Sequence, residues 1–497
     1  MLHNLRVTLA VLSLLATTFL FVDLSGVAHL FLGWIAKIQF LPALLALNVA
    51  VVVALVVITA LLGRVYCSII CPLGILQDVF AFLGKKAKKN RYSFSPAHNV
   101  LRFSLLVTFV AAFLLGAGSL VALLAPYSSF GRIAQNLFQP LYLAINNLLA
   151  LVAEHYGSYA FYSVDVWIRS IPTFVVASLS LIVLAVLSWR GGRTYCNTIC
   201  PVGTLLGQVA RFSLLAPVID ASKCVGCRLC ERNCKAACID VRGGLLIDGS
   251  RCVSCFECTR VCPKGAISFS LRRRPVAQIP SGSSAQGADV SRRGFLSVLG
   301  LAASGFVSAQ KEKVVDGGLT VLDAKVPPSR QTPLVPAGAQ SLRNFSRHCT
   351  GCQLCVAKCP NHVLRPQASL LSAMQPQMSF EHGYCRPECT VCSEVCPAGA
   401  IKPVSAPVKS STHIGHAVWV HDLCIPIVDG VSCGNCARHC PAGAIDMVLS
   451  DPNDELSLRV PAVNEERCIG CGACEHLCPS RPLSAIFVEG HENHRVD

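Results

Sequence analysis

The chain has 497 residues, 53% of them hydrophobic and only 14% charged, with a formal net charge of +15. That length suits two to four domains, and so apolar a composition excludes an ordinary soluble globular protein. The positive balance does not argue for nucleic-acid binding, because many of the 29 cysteines carry negative charge once they bind metal as thiolates.

Apolar residues crowd the region before residue 216, and most cysteines follow it. Four apolar stretches, about 5–24, 39–63, 100–124 and 173–189, approach or exceed the roughly 20 residues needed to cross a bilayer. They predict an α-helical membrane bundle of four spans over 1–216. The loop after the second stretch carries Arg64, Lys85, Lys86, Lys88, Lys89 and Arg91, whereas the loop after the third has only Arg132 and Arg169. The positive-inside rule then puts both ends of the bundle in the cytoplasm, as expected of a multi-pass protein of a bacterial inner membrane. No histidine lies within the four stretches, which argues against a bis-histidine haem there. Asp23, His29, Glu154, His155, Asp165 and Arg169 fall near the predicted outer face, as solvated loop residues or as a quinone head-group site.

The bundle contains a repeat. Gly63-Arg64-Val65-Tyr66-Cys67-Ser68-Ile69-Ile70-Cys71-Pro72-Leu73-Gly74 returns as Gly192-Arg193-Thr194-Tyr195-Cys196-Asn197-Thr198-Ile199-Cys200-Pro201-Val202-Gly203. Two copies in the same orientation suggest parallel repeats about an axis along the membrane normal. Cys67, Cys71, Cys196 and Cys200 are then expected to meet near the cytoplasmic surface, as a second redox or metal site or as thiols that merely pack.

Six further cysteine runs each supply four thiols. Residues 217–270 hold Cys224, Cys227, Cys230, Cys234 and Cys252, Cys255, Cys258, Cys262, the pattern of a two-cluster α+β ferredoxin. Cross-ligation gives one [4Fe–4S] cluster Cys224, Cys227, Cys230 and Cys262, and the other Cys252, Cys255, Cys258 and Cys234. Lys235 stands where proline is usual, and Cys238 is left over. This unit is expected in the cytoplasm.

Residues 271–310 form a linker followed by Ser291-Arg292-Arg293-Gly294-Phe295-Leu296 and an apolar stretch to Ala309, the pattern of a twin-arginine (Tat) export signal or anchor. Val307-Ser308-Ala309 offers a small-residue cleavage site; uncut, the segment makes a fifth span. After a second linker, 311–345, a periplasmic four-cluster domain is expected over 346–490. Its runs are Cys349, Cys352, Cys355, Cys359; Cys385, Cys389, Cys392, Cys396; Cys424, Cys433, Cys436, Cys440; and Cys468, Cys471, Cys474, Cys478. Pairing of the first run with the fourth and the second with the third, or of adjacent runs, both fit this spacing.

Runs of four cysteines ending in Cys-Pro suit iron–sulfur cubanes better than the paired knuckles of zinc sites or a secreted disulfide framework. Six clusters in one chain make a redox wire. No C-x-x-C-H motif marks a haem, and no glycine fingerprint marks a nucleotide or flavin cofactor. His413, His416 and His421 precede the third run as surface histidines or as unusual ligands.

The first 270 residues resemble the NapH-type membrane ferredoxins, with the related NosR and CcoG proteins, through the two Gly-Arg-x-Tyr-Cys-x3-Cys-Pro motifs and the following two-cluster unit. Residues 291–497 resemble the NapG/MauM periplasmic ferredoxins through the Ser-Arg-Arg-Gly-Phe-Leu signal and the four cysteine runs. The resemblance implies a fusion that takes electrons from membrane quinol, acting as a quinol dehydrogenase component, and delivers them to a periplasmic terminal reductase or cytochrome acceptor, such as a nitrate-reductase system. The CcoG likeness implies an alternative, a maturation factor that reduces copper for assembly of a respiratory enzyme. A bilayer core of about 30 Å is too thick for one efficient tunnelling step, so a diffusing quinone is expected to link the two sides.

Overall fold

The computed structural model describes residues 2–23, 26–87, 92–271, 315–316, 320–321, 323–367, 369 and 372–497. The twin-arginine segment at 291–309 lies outside the described residues. A helical module fills the first 210 residues, and two cysteine-rich units pack against it. Among the described residues every sheet is a two-stranded antiparallel pair.

Among the described residues three helices are long and apolar enough to cross a membrane: Leu2–Val22, Pro126–His155 and Ile171–Gly191. Two of the four expected spans are interrupted. Residues 39–63 form helices Phe40–Leu45 and Val49–Leu62, separated where Leu47 takes a positive φ of 53°. Residues 100–124 break after Asn99–Leu115 at Gly116, whose φ is 76°. The expected outer loop instead holds the whole Pro126–His155 helix. Arg132, Gln135, Asn136 and Gln139 are buried in its first half, and these polar residues hide the helix from a hydropathy reading.

The repeated motif folds alike in both copies. Gly63 and Gly192 end the preceding helices at φ 77° and 69°, a backbone region glycine enters without a Cβ penalty. Pro72 and Pro201 then start new helices, Pro72–Lys86 and Pro201–Ala210. Proline suits the first helical position because its missing N–H has no partner there. Cys71 and Cys200 thereby become N-cap residues.

The two cysteine-rich units sit at opposite ends of the Leu2–Val22 helix, which is about 31 Å long at 1.5 Å per residue. At its start, His3 Nε2 lies 2.7 Å from Glu257 of the first unit. At its end, Lys358 of the second unit pairs with Asp23 at 3.2 Å, both side chains buried. Helix Ile171–Gly191 runs the other way. Arg169, just before it, lies beside Cys355 and Cys359, and just after it the Arg193 amide donates to the Lys235 carbonyl at 2.8 Å.

In the first unit strands Leu215–Ile219 and Ile267–Leu271 pair with Leu215 opposite Leu271. The second unit extends beyond 346–490. Strand Ile486–Val496 pairs with Thr412–Trp419, and Leu334, Val335 and Phe345 belong to the core. One continuous buried cluster runs from Cys67, Cys71 and Cys200 through Tyr66, Tyr127 and Phe130 to Cys352, Cys355 and the far cysteines Cys424, Cys468 and Cys478.

Candidate iron–sulfur sites

Each run gives three cysteines to one site, on a tight loop in all but the run that begins at Cys424, and the fourth crosses to its neighbour's site. In the first unit, Cys224, Cys227, Cys230 and Cys262 line one cavity. Cys234, Cys252, Cys255 and Cys258 line another, with Cys238 beside them. The expected cross-ligation would use these same two groupings.

In the second unit the exchange is between adjacent runs, not first with fourth. Cys349, Cys352, Cys355 and Cys396 line one cavity. Cys392 lies among Cys359, Cys385 and Cys389. Cys474 lies among Cys440, Cys468 and Cys471, and Cys436 among Cys424, Cys433 and Cys478. Nearby runs cross over within short chain segments, which suffices to close both members of each pair.

These groups follow one another in space. The first abuts the helical module: a Cβ on Gly131 would overlap the Cys352 carbonyl, and one on Gly351 would meet Ala122. The second group leads to the third, where the Cys385 amide donates to the Cys471 carbonyl at 2.9 Å. The third shares its runs with the fourth. The long gap between Cys424 and Cys433 holds a short helix, Ile425–Val428, and Val428 and Val431 stand exposed beside the fourth group.

Burial pushes the Cys352 and Cys436 thiols up to about 11 and Cys471 up to about 12. A buried thiol stays protonated unless a metal displaces the proton. Each of these groups offers four sulfurs, the donor set that [4Fe–4S] clusters take.

Cys67, Cys71, Cys196 and Cys200 also come together, all buried and each within electrostatic reach of others in the set. Cross-braces join the two copies. Arg64 Nη2 donates to the Cys196 carbonyl at 3.1 Å, and Arg193 Nη1 to the Cys67 carbonyl at 2.5 Å. Gln77 Nε2 donates to Cys196 Sγ at 3.0 Å, and the Gly203 amide to Cys200 Sγ at 3.3 Å. The set lies between the first unit, whose Ser250 carbonyl accepts from Arg64 at 3.3 Å, and the middle of the Leu2–Val22 helix. Ser13 Oγ, in mid-helix, donates to the carbonyl of Ile70, next to Cys71. That level is about 10 Å from Arg6 and about 15 Å from Asp23 along the Leu2–Val22 helix.

A 4Fe-4S binding domain model matches residues 44–90 and 173–217, and a 4Fe-4S dicluster domain model matches 348–400 and 431–481. The methylamine utilization ferredoxin-type protein MauM of Methylophilus methylotrophus is 32% identical over 168 residues, covering 32% of this chain and 72% of the relative. The chain belongs to the MauM ferredoxin-type family. Further similar proteins are NapG of Haemophilus influenzae, at 30% identity over 29% of this chain and 53% of the relative, and an uncharacterized protein of Methanocaldococcus jannaschii, at 28% over 46% and 76%. No solved structure matches. This MauM-type chain is thus an iron–sulfur electron-transfer protein.

The other expected polar sites resolve differently. His413 is buried, 2.9 Å from the Cys468 carbonyl and 2.8 Å from Asp497. His416 stacks on His491, and His421 pairs with Asp422. Asp23, His29 and Arg169 gather at the seam with the second unit, while Glu154 and His155 stand exposed at a helix end. Sequence reasoning missed Lys358 and Trp167, on which His382 stacks at 4.4 Å. Their signal was weak, because each is a single residue far in sequence from its partner.

Proposed function

We propose that the chain carries electrons from membrane quinol through six [4Fe–4S] clusters to a periplasmic reductase of the nitrate-reductase type. The observation that carries this reading is the order of the four thiol groups in the second unit. They begin against the helical module and end beside the exposed Val428 and Val431. A wire anchored at the bilayer with a free, partly apolar tip suits delivery to a docking partner.

The first unit is assigned to the cytoplasm and the second to the periplasm. Their positions at opposite ends of a roughly 31 Å helix support this, since that length matches a hydrocarbon core. The chain between them then crosses from one side to the other, which supports an export signal or fifth span at 291–309. Asp23, His29 and Arg169 at the seam with the second unit are the candidate quinol-side groups.

The test is an anaerobic EPR titration of the membrane-bound protein, first with menaquinol and then with dithionite. Quinol is expected to reduce a subset of clusters at a catalytically useful rate. Reduction by dithionite alone would rule out quinol as donor and favour the copper-reducing maturation role. A four-group wire has no evident use in that role.

A further inference from the structure

We propose that Cys67, Cys71, Cys196 and Cys200 together hold an iron–sulfur cluster inside the helical bundle, and that it relays single electrons between the two ferredoxin units. The chain would then conduct across the bilayer by itself. The proposal rests on the electron-conduit reading and adds the step that reading lacked.

The first argument is charge. Arg64 is fully buried. Its guanidinium contacts Asn197 Oδ1, the carbonyls of Ser250 and Cys196, and, at 3.8 Å, Cys67 Sγ. Among the described residues no carboxylate lies within ion-pair distance of it. Arg193, also fully buried, shares Asp78 with Arg6 and Lys235. Three buried or nearly buried cations thus share one carboxylate, and a fourth, Arg64, has none. Unpaired buried charge is costly. Four thiolates around a ferric or mixed-valence cluster carry the missing negative charge, whereas four neutral thiols do not.

The second argument is shape. The four sulfurs come from two equivalent N-cap positions and two equivalent preceding turns. They lie within electrostatic reach of one another. Four thiolates are what an iron–sulfur cluster takes. Donors from Gln77 and Gly203 aim at two of the sulfurs, as hydrogen bonds that tune cluster potential do.

The third argument is position. On one side Arg64 reaches from Cys67 Sγ, at 3.8 Å, to the Ser250 carbonyl of the first unit, at 3.3 Å and two residues before Cys252. On the other side Tyr195, adjacent to Cys196, hydrogen-bonds Ser129. Ser129 accepts from Arg132 at 3.1 Å, and neighbouring Gly131 packs on the Cys352 carbonyl. A single buried helix, Pro126–Ile133, about 10 Å thick, therefore stands between the set and the second unit. The bilayer-wide gap becomes two short hops.

The step balances simply. A reduced [4Fe–4S] cluster of the donating unit loses one electron and an oxidised one of the receiving unit gains it. The membrane cluster is reduced and reoxidised by one electron, and no bond or proton moves. Dithionite and ferricyanide serve as terminal donor and acceptor in the test.

The full-length protein, purified anaerobically, is assayed for iron and acid-labile sulfide. It is also reconstituted in quinone-free vesicles with ferricyanide trapped inside and dithionite outside. Cys67→Ser/Cys196→Ser should lose roughly two to four irons per chain and one EPR or Mössbauer component, and slow ferricyanide bleaching at least tenfold. Gln77→Leu keeps every thiol; it should retain the iron and lower the midpoint potential of that one component. Unchanged iron in the double variant, copper or zinc in place of the extra iron, or equal bleaching by both proteins would overturn the proposal. If quinol still reduces the second unit in a double variant that has lost its relay, the quinol reading stands independently. If quinol fails while vesicles conduct, the relay stands without it.

Discussion

Lys235 and Cys238 mark where the first unit departs from the ferredoxin pattern, and each departure has a physical partner. Lys235 occupies the position that proline holds after Cys262, Cys359, Cys396, Cys440 and Cys478. Its carbonyl accepts from the Arg193 amide, and its amine lies 3.6 Å from buried Asp78, so this turn docks on the helical module. Cys238 occupies the position of Ala266 and Ala444, whose amides donate to Cys262 and Cys440 sulfurs at 3.3 Å. Its sulfur lies 3.5 Å from Cys234 Sγ and holds the Cys234 thiol below the ordinary thiol range. Cys238→Ala should therefore keep the iron content and lower the potential of that cluster, as seen in an EPR-monitored redox titration; loss of a whole cluster would make Cys238 a ligand. Gly74 and Gly203 are constrained more tightly. A Cβ on either would overlap the Cys67 or Cys196 carbonyl and crowd the bracing guanidinium. Overpacking a rigid core typically costs about 1–3 kcal/mol, and backbone cannot swing aside. Gly74→Ala or Gly203→Ala should lower the melting temperature, while Gly430→Ala, in open space although at positive φ, should cost no more than the strain of that φ.

Among elements, the Leu2–Val22 helix acts as a strut with a polar clamp at each end. The Asp23–Lys358 clamp is buried on both sides. Removing one partner of a buried pair typically costs about 3–5 kcal/mol, because the other charge is stranded. Lys358→Met should loosen the second unit on the bundle, read as faster amide exchange across the Leu354–Lys358 helix. Asp23→Asn with Lys358→Met should restore much of the protection. The sequence made the helical bundle, the cysteine groups and the repeat readable, because apolar runs and ligand spacing are local signals. The broken spans were hidden because Leu47 and Gly116 interrupt runs that remain apolar throughout. Pairing of the four outer runs was hidden as well, since each run carries its own three-plus-one spacing whichever neighbour it exchanges with. The burial of Arg64 and Arg193 was hidden too: the Gly-Arg motif reads as a solvated corner, yet both side chains are covered by the first unit and by each other's loops.

For the whole molecule, the order of the thiol groups makes position along the wire testable. Cys352 belongs to the group against the helical module, and Cys436 to the group farthest from it in that order. Tunnelling decays steeply with distance, so a missing group near the start blocks everything beyond it, whereas a missing group at the tip blocks only the exit. Cys352→Ser should abolish quinol reduction of the remaining groups and delivery to a soluble acceptor. Cys436→Ser should leave quinol reduction of the first three groups intact by EPR and stop delivery alone. The two units swap their fourth cysteines only within pairs, so neither substitution reaches into the other pair's sites. Equal loss of both activities in the two variants would mean that electrons enter the second unit at more than one point, and that the spatial order is not the order of transfer.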